Sequence, residues 1–272
     1  MEFMEILKAV ILGIVQGITE WLPVSSTGHL ILVEEFIRFQ LSDVFRSTFM
    51  VVIQLGSILA VVVLYFRKLN PFDGGKTQAE QRQTLQLWGK ILVASVPAGV
   101  IGLLFDDTID ALFYNSVTVA VTLILYGVIF IVLENRKTQP RVLDSEALSY
   151  RLALFIGVFQ MLALVPGTSR SGATIVGAVL MGCSRTLAAE FSFFLALPAM
   201  LGASALKLLK AGFGFTGLEW TVLGVGSLVA FTVSLLAIRF LMSYIKRHDF
   251  KVFGYYRIVL GLIVLAYFNL LA

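Results

Sequence analysis

The chain has 272 residues, 58% of them hydrophobic and 14% charged, with a formal net charge of +4. Soluble domains carry about 25% charged residues, so this composition excludes one and describes an integral membrane protein. The single cysteine, Cys183, excludes an internal disulfide and a cysteine metal cluster, and the small positive charge gives no nucleic-acid patch.

The first apolar run follows Glu2 and Glu5 and leads into a polar cluster, with no small-residue cleavage site, so no cleaved signal peptide is expected. Residues 6–33 are apolar but interrupted by Glu20, Pro23 and the stretch "EWLPVSSTGH" (20–29). Residues 47–66 then form an uncharged run long enough to cross a bilayer at about 1.5 Å per residue. The loop "NPFDGGKT" (70–77) ends like a phosphate-binding loop, but Asn70 stands where the first glycine is required and no strand precedes it. Residues 91–105 make a shorter span, "DDTID" (106–110) reads as an acidic loop, and 111–133 make another full span.

Residues 152–182 repeat the first pattern: an apolar segment broken by "VPGTSRSGAT" (165–174). Spans over 191–206, 220–238 and 258–272 complete the chain. In each broken segment the arms are too short to cross alone and the break carries Pro, Gly and hydroxyls. This is the pattern of a re-entrant helical hairpin, whose irregular tip must be buried in protein or face water.

The two halves match. Gly13 and Gln16 correspond to Gly157 and Gln160, Pro23 and Ser26 to Pro166 and Ser169, and Leu55-Gly56 to Leu201-Gly202, all at offsets of 143 to 146. The expected fold is therefore an all-α integral membrane protein. It has six transmembrane helices and two re-entrant hairpins in one membrane domain, with repeats over 1–140 and 141–272. Three spans per half make the topology inverted, and the hairpin tips should meet near the midplane. Lysines and arginines gather in three loops: Arg67, Lys68, Lys76, Arg82 and Lys90; Arg136, Lys137, Arg141 and Arg151; and Lys246, Arg247 and Lys251. The positive-inside rule makes that side cytoplasmic, with both termini and the mouth of the first hairpin outside.

Ionisable groups inside apolar segments are costly and are functional candidates: Glu20, His29, Arg170, Arg185 and Glu190. Arg185 and Glu190, five apart, are also candidates to pair with each other. His248, in "KRHDF", reads as a solvated loop residue, and Cys183 as packing. The first tip offers Glu20, Ser25, Ser26, Thr27 and His29; the second offers Thr168, Ser169, Arg170, Ser171 and Thr174. Arg170 is a permanent, fork-shaped donor suited to phosphate oxygens, at a helix start that favours anions. The first tip adds a nucleophile, Ser25 or Ser26, with His29 or Glu20 as the base it needs. Gln16, one turn before Glu20, shares its helix face, and Gln54 is placed to line the same cavity. The pattern is an anion site with attack chemistry, within reach of a lipid head group.

"QGITEWLPVSSTGH" (16–29) and "PGTSRSGAT" (166–174) resemble the two signature motifs of the undecaprenyl-pyrophosphate phosphatases, the bacitracin-resistance family. "VVIQLGSILAVV" (51–62) and "EFSFFLALPAM" (190–200) are also similar, so the resemblance covers nearly the whole chain. It implies a membrane phosphatase that converts undecaprenyl pyrophosphate, the spent carrier of cell-wall synthesis, to the monophosphate. The site would face outward from the bacterial plasma membrane, and the activity would confer bacitracin resistance. It implies Ser26 as nucleophile, and His29 and Glu20 in proton transfer, or Glu20 as a ligand to Mg²⁺ or Ca²⁺. It implies Arg170 as a clamp on the pyrophosphate, with Ser169, Ser171 and Thr174 as further donors. Gln16 stands where the motif also allows Glu, which removes one potential metal ligand. The expected partners are the lipid pyrophosphate, membrane lipid and, as an assembly state, a homodimer; no nucleic acid is expected. The alternative is a transporter or flippase of polyprenyl phosphate, because inverted repeats with broken helices also build transporters.

Overall fold

The computed structural model describes residues 2–113, 115–136 and 139–270. Among these the chain is helical, with a single bridge between Val142 and Cys183 in place of any strand. In order, the first half comprises α1 (Glu2–Thr19), α2 (Ser26–Phe36), α3 (Asp43–Val52), α4 (Gln54–Leu64), the short α5 (Phe66–Leu69), α6 (Gln78–Phe113) and α7 (Ser116–Asn135). The second comprises α8 (Tyr150–Met161) with a 3₁₀ turn (Leu162–Leu164), α9 (Arg170–Leu180), α10 (Arg185–Ala211), α11 (Gly217–Tyr244) and α12 (Lys251–Leu270).

Six stretches among the described residues are long and apolar enough to cross a membrane: Asp43–Leu64, Gln78–Phe105, Ser116–Asn135, Arg185–Ala211, Gly217–Tyr244 and Lys251–Phe268. Each overlaps one of the six runs expected from composition; those over 91–105, 191–206 and 220–238 lie wholly inside their spans, whereas the runs over 47–66, 111–133 and 258–272 each reach past one end of theirs. Thr77 and Glu80 exchange hydrogen bonds of 2.7 and 3.3 Å as a capping box at the start of α6, and Thr216 and Glu219 do the same for α11. Ser42 and Ser184 cap α3 and α10 from one side only, their hydroxyls accepting from the N–H groups of Phe45 and Leu187. Because Thr77 starts α6, this helix begins well before residue 91.

The expected acidic loop at 106–110 is instead part of α6, whose backbone stays helical to Phe113. No Gly or Pro interrupts that segment. Only at Asn115, whose side chain caps α7 by accepting from the Thr118 N–H at 2.8 Å, does the chain turn. Lys137, counted among the cytoplasmic loop cations, lies outside the described residues.

The two broken segments form helix–turn–helix pairs, α1 with α2 and α8 with α9. With 18 residues α1 is about 27 Å long, just short of a bilayer's hydrocarbon core. Both pairs pack across the halves: α1 lies along α11, and α8 along α6. Without a hydrophobic force between helices in lipid, small residues that let backbones approach decide such contacts. A Cβ on Gly13 would sit 2.7 Å from the Gly226 carbonyl oxygen, and one on Gly157 only 2.1 Å from that of Ala94. The Gly13–Gly157 match thus marks two close helix crossings. The Gly56–Gly202 match does not behave this way, since Gly56 abuts the Ser227 carbonyl and Gly202 has open space around it. The outer faces of the spans carry exposed Leu103, Leu228 and Leu236, an apolar surface of the kind lipid covers.

Candidate active site

The second arm of each pair starts at a serine in the left-handed region: Ser25 at φ 74° and Ser169 at φ 71°. These are the only two non-glycine residues there among those described. The conformation is strained for a residue with a Cβ, and such strain concentrates at functional sites. Each serine caps its helix, with Ser25 Oγ accepting from the Gly28 N–H at 3.3 Å and Ser169 Oγ from the Gly172 N–H at 3.1 Å. The caps aim the next residues, Ser26-Thr27 and Arg170, at a common cavity.

Glu20 is at the centre, with only 5% of its surface exposed. Its Oε2 accepts from Gln16 Nε2 at 2.9 Å and from Ser26 Oγ at 2.8 Å, and its Oε1 accepts from Arg170 Nη2 at 3.3 Å. The Arg170 guanidinium also donates from Nη1 to the Ser192 carbonyl at 2.6 Å and lies 5.8 Å from the centre of the Trp21 ring. A buried carboxylate beside a buried guanidinium offsets the desolvation of both, and the hydrogen bonds fix their geometry. Ser171 Oγ donates toward the Glu20 carbonyl at 3.3 Å, which ties the tips directly to each other.

The cavity beside this cluster has a volume of about 500 Å³. Its polar lining comprises Glu20, Ser26, Thr27, Gln54, Ser95, Gln160, Ser169 and Arg170. The remaining wall is apolar: small residues such as Ala98, Gly99 and Ala203 alternate with Leu103, Leu164, Met200 and Leu206. Two helix N-termini thus border one cavity, an arrangement that favours a bound anion. A smaller recess of about 170 Å³ is lined by Lys68, Lys76 and Lys90. Those cations are already engaged: Lys68 with Glu190, Lys76 with Thr84, and Lys90 with the Ser145 carbonyl.

The structure therefore brings Gln16, Glu20, Ser26, Arg170 and Ser171 into one network, with Thr27, Gln54 and Ser169 on the cavity wall. Ser25, Thr168, Ser171 and Thr174 are buried supports; the Thr174 hydroxyl donates to Ser192 Oγ at 2.7 Å. His29 faces elsewhere. Its Nδ1 is 2.7 Å from the Ser25 carbonyl and its Nε2 is 2.6 Å from the Tyr256 hydroxyl. A carbonyl can only accept, so Nδ1 carries the proton and Nε2 accepts from the tyrosine. Arg185 and Glu190 do not pair with each other: Arg185 binds Glu134, and Glu190 binds Lys68.

Three contributors fell outside the sequence-predicted set. Ser192 anchors Arg170 and Thr174. Gln160 lines the cavity. Arg257 is fully buried and donates to the carbonyls of Pro23, Gly167 and Thr168 at 3.3, 2.8 and 2.9 Å, joining both tips to α12. Its charge inside an apolar helix was the available signal, but it sits one residue before the uncharged run 258–272.

The residues do not fit a divalent ion held by protein ligands. Glu20 is one carboxylate whose two oxygens accept from three donors of this chain, one of them a guanidinium. Among the described residues no group of three or more His, Cys, Asp or Glu is gathered in one place.

Together these features define an all-helical membrane protein in which two broken segments join at a buried Glu–Arg pair beside a hydroxyl-lined cavity. The model of the family "Bacitracin resistance protein BacA" matches residues 9–263. The chain belongs to this family. It is similar to "Undecaprenyl-diphosphatase 1" of Clostridioides difficile (strain 630), 68% identical over 268 residues that cover 98% of each chain. It is 59% identical to an "Undecaprenyl-diphosphatase" of Desulfitobacterium hafniense over 99% of this chain and 98% of that one. An Enterococcus faecalis protein of the same name is 58% identical over 97% and 98%.

Proposed function

We propose that this protein is an undecaprenyl-diphosphatase, which removes the terminal phosphate of undecaprenyl pyrophosphate to recycle the lipid carrier of cell-wall synthesis. Full-length similarity to proteins of that name supports the activity. The observation that carries the chemistry is the 2.8 Å hydrogen bond from Ser26 Oγ to Glu20, on a carboxylate already paired with Arg170.

Ser26 Oγ attacks the terminal phosphorus as Glu20 takes its proton. The bond from that phosphorus to the bridging oxygen breaks, and the lipid monophosphate leaves. Glu20 passes that proton to the departing monophosphate; water, deprotonated by the freed carboxylate, then cleaves the phosphoseryl ester, Ser26 Oγ recovers its proton from Glu20, and inorganic phosphate leaves. Phosphoryl transfer depends mainly on positioning and charge neutralisation. Arg170 and the first-turn amides of α2 and α9 supply both, with Ser169, Thr27 and Gln54 as further donors. His29 is a positioning residue: held by Tyr256, it fixes the carbonyl next to Ser26. A divalent cation, Mg²⁺ or Ca²⁺, would supply further charge neutralisation, but the chain offers it only Glu20, whose oxygens are already hydrogen-bonded. Calorimetry with Mg²⁺ and ligand-free protein should accordingly give no binding tighter than about 10⁻⁴ M, and a tight site would contradict this.

The reading includes two inverted repeats, 1–140 and 141–272, and supports for it are the paired caps and paired left-handed serines. It also places both hairpins within the membrane of a bacterial cell, the cavity facing outward and the loop at His248 inside. In a Cys183→Ser background, His248→Cys should react with an impermeant maleimide only after the membrane is broken; reaction in intact cells would reverse the orientation.

In detergent micelles, purified full-length protein should release phosphate from undecaprenyl pyrophosphate, and Ser26→Ala and Arg170→Ala should each slow it by at least about tenfold. Wild-type protein that binds this lipid but releases no phosphate, with Mg²⁺ and Ca²⁺ tried, would overturn the enzyme reading.

A further inference from the structure

Gln160 is 3% exposed and borders the cavity, yet neither its Oε1 nor its Nε2 has a hydrogen-bond partner in the protein. Its counterpart in the first half behaves differently. Gln16 gives its Nε2 to Glu20, four residues on. Four residues after Gln160 stands Leu164, which has nothing to offer an amide. The second half thus keeps the glutamine of the pair and lacks the carboxylate.

A buried amide without partners is destabilising, and an apolar side chain of similar length would pack there at no such cost. Polar groups left unpaired at a cavity wall are what a site built to hydrogen-bond its ligand leaves behind when the ligand is absent. We infer that Gln160 is a substrate contact. Its Nε2 donates to a phosphoryl oxygen of the diphosphate head group, and its Oε1 accepts from a water or a protonated phosphoryl oxygen carried with that group. The neutral amide suits this place. A second carboxylate on the wall that Glu20 already lines would repel the anion, whereas an amide adds a donor and leaves Arg170, the one cation among the lining residues, to balance the charge. The chemical identity of the ligand rests on the activity proposed above; the presence of a ligand for Gln160 rests on its burial and its missing partners.

The test uses full-length protein in detergent, with Gln160→Leu and Gln160→Glu compared to wild type. The probe is methylene diphosphonate, a diphosphate that cannot be hydrolysed, alongside turnover of the lipid. Gln160→Leu should weaken probe binding and raise KM by about tenfold or more, with kcat changed far less, as expected for a hydrogen bond to a charged group. Its thermal unfolding without ligand should occur at the wild-type temperature or above, because an unpaired buried amide has been removed. A purely structural glutamine would give the reverse: lower stability and unchanged KM. Gln160→Glu keeps the shape and adds a negative charge, so it should bind the probe more weakly than Gln160→Leu. It also carries the test should the leucine variant fail to fold. Probe binding within twofold of wild type in both variants overturns the inference. Probe binding is measured without turnover, so a wild-type protein that released no phosphate would defeat the phosphatase reading and still leave Gln160 decided.

Discussion

Glu20→Gln separates the proposed base from a structural support. Three donors converge on the carboxylate, from Gln16 at 2.9 Å, Ser26 at 2.8 Å and Arg170 at 3.3 Å. An amide has the same shape but one acceptor oxygen, and its NH2 must face at least one of those donors. Hydrogen bonds to a charged group contribute about 1.5–3 kcal/mol each, and breaking a buried ion pair costs about 3–5 kcal/mol, so measurable destabilisation is expected. The kinetic effect is distinct. Loss of a general base slows the chemical step by about 10²–10⁴-fold. Loss of a negative charge beside an anion site removes a repulsion, so binding of methylene diphosphonate should hold or tighten. Steady-state kcat and the probe's dissociation constant, measured for both proteins, decide the matter. A parallel fall of kcat and probe affinity would refute the reasoning, because it would mean that Glu20 merely holds Arg170 in place.

Gly157→Ala puts a methyl 2.1 Å from the Ala94 carbonyl oxygen, so α6 and α8 must separate. Overpacking of this kind costs about 1–3 kcal/mol, read as a lower unfolding temperature in detergent, whereas Gly202→Ala, inside α10 with open space around it, should hold or slightly raise that temperature. At Ser169, with φ 71°, glycine relieves the strain while losing the cap, and alanine loses the cap and keeps the strain. The expected order of thermal stability is therefore wild type, then Ser169→Gly close behind, then Ser169→Ala lower by about 1–2 kcal/mol. Arg170→Lys keeps the charge but cannot reach both Glu20 and the Ser192 carbonyl as the planar fork does, so kcat/KM should drop by at least about tenfold.

The spans were legible because lipid imposes one rule, a long uncharged helix, and the chain obeys it in six places. What misled was charge at a helix end. Three aspartates within 106–110 suggested a loop, yet a helix emerging from the apolar layer can carry them without breaking. Arg185 and Glu190 looked like a pair because they are near in sequence, but five residues place them on different sides of a helix, and each found a partner on another element. The meeting of the two tips was foreseeable from their matching motifs, and the Arg170–Glu20 contact, 150 residues apart, lies where those motifs meet. The rotamer of His29 was not. Sequence places a histidine three residues from Ser26, and only the packing of α12, with Tyr256, turns its ring away. Gln160 shows the same limit from the other side: its match to Gln16 was visible, but the missing partner at Leu164 has meaning only once burial is known.

Acid-quenched protein, trapped during turnover and digested, tests the account most directly. Mass spectrometry should find a phosphoryl group on Ser26 in wild-type protein, more of it when hydrolysis is slowed, and none in Ser26→Ala, which should also have lost turnover. A Ser26→Ala protein that still releases phosphate at the wild-type rate, or a phosphoryl group on another residue, would contradict it.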